Sequence, residues 1–67
     1  MHSKKLKAIR EALGIEQTVV AERLGVTKQM VSMMERGLRK INLDQFVEWC
    51  EALGVKPSAV LEEDDDQ

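Results

Sequence analysis

Apolar residues along this chain recur three and four positions apart. Leu6, Ile9 and Leu13 form one such set, Val20, Ala21 and Leu24 a second, Val31 and Met34 a third. Phe46, Trp49, Cys50 and Leu53 form a fourth, and Val60 with Leu61 would cover the end. Each set marks one face of an amphipathic helix, and no strand-like alternation appears. The pattern predicts helices over 3–13, 17–24, 28–36, 43–53 and 57–62. The fold class expected is all-α, a compact five-helix bundle.

Stop and start signals agree with that division. Gly14, Gly25, Gly37 and Gly54 each end an apolar-periodic stretch and are followed by Ile15, Val26, Leu38 and Val55, the order a Schellman stop prefers. Ser3, Thr27 and Asn42 stand at the expected starts of helices 1, 3 and 4. Gln45 completes a capping-box pair with Asn42, and Ile41 and Phe46 occupy the two staple positions. Pro57 suits the first turn of the last helix, where its missing N–H costs nothing. Glu-Ala-Leu-Gly at 11–14 and again at 51–54 reads as one helix-ending solution used twice, not as a repeat architecture.

Composition narrows the function classes. A chain of 67 residues is one small domain with room for neither a substrate domain nor a deep cofactor cleft. At 43% hydrophobic and 33% charged residues it is globular in composition. No apolar run is long enough to span a bilayer, and the single cysteine offers no intrachain disulfide, so the expected setting is the cytoplasm. The net charge of −2 argues at first against nucleic acid. Its distribution argues otherwise. Five of the twelve acids fall within 62–67, which leaves residues 1–61 with ten basic against seven acidic side chains, a net of +3. The division expected is a folded domain over 1–61 and an acidic, disordered tail over 62–67.

The segment joining helices 2 and 3 carries the candidate chemistry. Gly25-Val26-Thr27 leaves a very short corner, which would fix helix 3 rigidly against helix 2. If Val31 and Met34 face inward, then Lys28, Gln29, Ser32, Met33 and Arg36 face out, a stripe without Asp or Glu. Such a stripe suits the DNA major groove. Gln and Lys reach base-edge acceptors or donors, Ser does either, and a Met thioether fits a thymine methyl.

The run from Gln17 through Ala21, Gly25, Val26, Thr27 and Val31 to Glu35 and Gly37 resembles the helix-turn-helix of the lambda-repressor-like, Cro/XRE-type family. The resemblance extends to Leu53-Gly54-Val55, nearly the whole chain before the tail. It implies that helices 2 and 3 form the helix-turn-helix, that Gln17 and Thr27 hold backbone phosphates, and that Lys28, Gln29, Ser32 and Met33 read bases. It also implies that Arg39 and Lys40 lie along the phosphates and that Arg10 and Glu35 form a structural ion pair. Helix N-termini and basic loops are ready phosphate sites, which agrees. Arg10 also lies beside Ile9 on the inner stripe, where an unpaired charge would be costly. The chain departs from the family at five positions. Glu16 stands where Ser or Thr usually caps helix 2, Ile41 where Pro is common, Met30 and Met33 where polar or basic residues are common, and Lys56 is a poor cap for helix 5.

Other residues read as structure. Cys50 and Trp49 lie on the inner face of helix 4, and His2 has no Cys or His at ligand spacing. There is no nucleophile–His pairing, phosphate-cradling loop or metal cluster, so neither an enzyme, a cofactor, a metal nor a small-molecule ligand is expected. The function expected is a sequence-specific transcriptional regulator. It would be a small homodimeric repressor of a palindromic double-stranded operator, with a dimer seam at Val55, Val60 and Leu61 and a contribution from Val19. The alternative is a protein-interaction module, an antitoxin-like partner in which DNA binding is secondary or lost.

Overall fold

The computed structural model describes residues 2–65, with side chains for 2–61. Its elements are α1 (Ser3–Ala12), α2 (Gln17–Leu24), α3 (Lys28–Glu35), α4 (Leu43–Leu53) and α5 (Pro57–Asp65), and no strand occurs among the described residues. α2 packs on α3 and α4, α1 packs on the same two helices, and α5 closes over α4. The Cα radius of gyration is 10.9 Å.

Trp49, Phe46, Leu6, Val20, Val31, Val60 and Cys50 form the fully buried centre. Met34 joins them, and its sulfur accepts a hydrogen bond from the Trp49 indole N–H at 3.2 Å, which ties α4 to α3. Burial, with the Glu51 charge beside it, pushes the Cys50 thiol above its ordinary value. A buried neutral thiol packs as a small apolar group.

Helix ends follow local chemistry. The Asn42 Oδ1 accepts from the Gln45 amide at 2.8 Å, and Gln45 Oε1 accepts from the Asn42 amide at 3.0 Å, so the capping box is complete. Ile41 and Phe46 are both buried in the core beside it. At the corner of α2 and α3, Gly25 adopts φ 72°, where a Cβ would be strained. Its N–H donates to Glu22 O at 3.3 Å and the Val26 N–H to Ala21 O at 3.0 Å, the paired bonds of a Schellman stop. Val26 then packs against the core, and Thr27 Oγ1 accepts from the Met30 amide at 3.1 Å to start α3.

Several sequence expectations change here. Ser3 is not the cap of α1 but its first residue. His2 takes the cap position in a left-handed conformation without a side-chain cap bond. Leu13, expected on the inner stripe, is 52% exposed because α1 ends at Ala12 and the chain then turns through Gly14. Ile15 packs against the core instead, its N–H donating to Arg10 O at 3.1 Å. Leu38 makes the backbone bond of a helix stop, N–H to Met33 O at 2.9 Å, yet its side chain stays 64% exposed. α3 ends one residue earlier than expected, at Glu35, with Arg36 as its C-cap. α5 continues past the expected end at 62 as far as Asp65. The side chains of the acidic run 62–67 lie outside the described residues. Val60, expected at a dimer seam, is 2% exposed and belongs to the core, because α5 lays that side chain on the centre of the bundle. Leu61, expected to help cover the core, is instead exposed.

Candidate nucleic-acid interface

The interface begins with a buried ion pair. Arg10 is 8% and Glu35 3% exposed, and at that depth a lone charge would be costly. Neither is alone. Arg10 Nε donates to Glu35 Oε2 at 2.6 Å and Nη2 to Oε1 at 3.2 Å, a two-pronged contact, while Nη1 donates to Ile15 O at 2.7 Å. Glu35 Oε1 also accepts from Gln17 Nε2 at 2.8 Å. One carboxylate at the end of α3 therefore anchors both α1 and the first residue of α2. Among the described residues no buried side-chain N or O atom lacks a partner.

This anchoring sets the rotation of α3. Val31, Met34 and Glu35 turn inward, and Met30 packs against the core. Lys28, Gln29 and Arg36 are exposed, with Ser32 and Met33 half-buried between them. Arg36 folds back along the helix, its Nε donating to Ser32 O at 3.4 Å. Arg39 and Lys40 are exposed in the loop that leads to α4. Thr27 is exposed at the start of α3, its hydroxyl oxygen accepting from Met30 and its hydroxyl hydrogen left to donate. Gln17 is half-buried, with one amide N–H committed to Glu35 and a second left over.

The start of α2 and the start of α3 meet at an open cleft of about 280 Å³ lined by Arg10, Glu16, Gln17, Thr18 and Lys28. The first amides of a helix have no partner within the helix, so both starts present N–H donors and the positive end of a dipole. Thr18, exposed in this cleft, was not singled out from the sequence. The signal available was its place two residues after the α2 cap. Arg23 was missed as well. It is not part of this face, because its Nη1 donates to Ala52 O at 2.6 Å and closes the end of α4. A larger hollow, about 740 Å³, runs along α1 from His2 to Ala12 and contains none of the α3 residues.

Chemically the face offers Lys28, Arg36, Arg39 and Lys40 as cations, Gln17, Thr27 and Thr18 as neutral donors, and Gln29 and Ser32 as groups that donate and accept. Fixed phosphates need the first two kinds, and base edges need the third. Among the described residues no cluster of His, Cys, Asp and Glu could hold a metal ion, and no helix is long and apolar enough to cross a membrane.

Comparisons with known proteins agree with this geometry. Residues 6–60 match a family model described as helix-turn-helix. Among curated proteins none matches the sequence. Among solved structures, an XRE-family like protein from Pseudomonas syringae pv. tomato is 33% identical with a TM-score of 0.85, over 91% of this chain and 74% of that one. The clp gene regulator ClgR from C. glutamicum is 28% identical with a TM-score of 0.84, over 91% and 79% of the two chains. The restriction-modification controller protein C.AhdI from Aeromonas hydrophila is 28% identical with a TM-score of 0.77, over 87% and 88%. The chain therefore belongs to the helix-turn-helix family of the Cro/XRE type, a family of DNA-binding transcription regulators.

Proposed function

We propose that the protein is a small dimeric repressor that lays α3 in the major groove of a palindromic operator, working in the cytoplasm. One observation carries this reading: the outer face of α3 has no acid and is held at a fixed rotation by the Arg10–Glu35–Gln17 network. On it Lys28, Gln29, Ser32 and Met33 read base edges. Gln17 and Thr27 hold phosphates at the two helix starts, and Arg36, Arg39 and Lys40 follow the backbone beyond them.

A domain of this size touches few base pairs, so a second copy on a half-site about one helical turn away supplies the remaining specificity. Leu61, exposed on α5, and the half-buried Val55 and Val19 are the seam we assign, now without Val60. Occupying the operator would deny it to the polymerase. That two of the similar structures are named as a gene regulator and a controller protein supports the regulatory reading.

Selection of bound duplexes from a random pool, with the mass of the complex measured in solution, tests it. A palindromic consensus bound by two copies is the expected result. A pool that stays random after selection would overturn it and leave a protein-interaction role.

A further inference from the structure

Among the described residues, Glu16 is the only acid lining the cleft between the starts of α2 and α3, apart from the buried Glu35 behind it. It occupies the cap position of α2 with extended backbone angles, φ −79° and ψ 154°, as a capping residue should. Its side chain nevertheless accepts no cap hydrogen bond and is exposed. A carboxylate folded back on the first amides would spend its charge within the helix. This one does not.

The charges around the cleft then cancel. Arg10 lines it too, but its guanidinium is matched by Glu35. What remains at the mouth is Lys28 against Glu16, a net of zero where a phosphate would be received. We propose that Glu16 is an affinity-setting residue, an anionic guard at the α2 start that repels the DNA backbone and keeps phosphate contacts from holding the protein on unspecific sequence. The inference rests on the DNA-binding reading above. It adds to that reading a residue that works against binding. Its repulsion acts on phosphates, which every duplex shares, so it weakens all duplexes alike and leaves the choice between them to α3.

The test compares the wild-type chain with Glu16→Gln, Glu16→Ser and Glu16→Asp, titrating a selected operator duplex and a scrambled duplex of equal length across a salt series. Glu16→Gln should bind both duplexes about three- to tenfold tighter at low salt, with the ratio between them unchanged. Its salt dependence should steepen by up to about one ion, and Glu16→Asp should behave as wild type. Glu16→Ser, which offers a capping oxygen without the charge, should show the same gain and guards against a folding effect of the Gln variant. Equal affinity of the Gln, Ser and wild-type chains would overturn the proposal. Weaker binding by Glu16→Gln would overturn it too, since Glu16 would then be accepting a hydrogen bond from the DNA. If the wild-type chain binds neither duplex, the DNA-binding reading fails and this inference fails with it.

Discussion

Gln17 Nε2 donates to Glu35 Oε1 at 2.8 Å, the same oxygen that Arg10 Nη2 reaches at 3.2 Å. The buried ion pair and the surface amide thus share one acceptor. Stability of the bundle and the aim of Gln17 are linked through Glu35, and they are separable by mutation.

Glu35→Ala leaves Arg10 buried without its counter-charge. It should cost about 3–5 kcal/mol, which in a domain this small lowers Tm by more than about 12 °C. The double variant Arg10→Met with Glu35→Leu should recover most of that loss, because apolar packing replaces a buried pair well. It should still bind operator less tightly than wild type, since Gln17 has lost its anchor. Thermal unfolding and a binding titration read the two effects apart. A change in Tm of only a degree or so in Glu35→Ala would show that the pair does not hold the fold.

Residues proposed to read bases and residues proposed to hold phosphates are expected to fail differently. Lys28→Ala and Gln29→Ala should each cost about 1–3 kcal/mol on the operator and relax the preference at one position. Arg39→Ala and Lys40→Ala should weaken all duplexes alike and reduce the salt slope by about one ion. Repeating the selection with each variant distinguishes them. An unchanged consensus in Lys28→Ala and Gln29→Ala together would remove α3 from the major groove.

Gly25→Ala tests the corner. A Cβ there would meet nothing within 4 Å, so the whole cost is the left-handed φ of 72°. That cost is roughly 1–2 kcal/mol, measurable by denaturant unfolding. Equal stability of variant and wild type would mean that the corner tolerates another conformation.

The Cys50 thiol sets an alkaline limit. Its proton is held more tightly in the folded chain than the ordinary value near 9.0. Above that pH the unfolded chain binds fewer protons than the folded one, so stability falls as pH rises through the unfolded and then the folded value. Below it the contribution is complete. Unfolding midpoints of wild type and Cys50→Ala across alkaline pH should therefore converge, and parallel curves would refute the assignment. In the native chain the same thiol should resist a thiol-specific reagent that labels it promptly in denaturant.

Much of the fold was legible because its signals are local. Thr27 and the Asn42–Gln45 pair act within one turn, and period and glycine position alone locate the corner of α2 and α3. What was not legible depends on other helices. Leu13 has the right angular position for the core, but the chain turns away before the stripe reaches it, and Ile15 takes the space. Val60 and Leu61 differ only in which side of α5 meets α4, and a pattern of two apolar neighbours does not separate them. The bond from Arg23 to Ala52 O spans 29 residues of sequence, and no local pattern around Arg23 signals it. On the outer face of α3 the exposure of Lys28 and Gln29 followed from the inward turn of Val31 and Met34. The commitment of Gln17 to Glu35 needed three helices in place.

The hydrogen bond from Trp49 to the Met34 sulfur has an optical consequence. The chain has a single tryptophan, and its indole N–H is tied to α3, the helix proposed to enter the major groove. Its emission is therefore an intrinsic gauge of how α3 is seated, free of any added dye. Loosening of α3 alone should shift that emission before the helical signal of the whole chain is lost. Seating and unfolding can then be followed as two separate events.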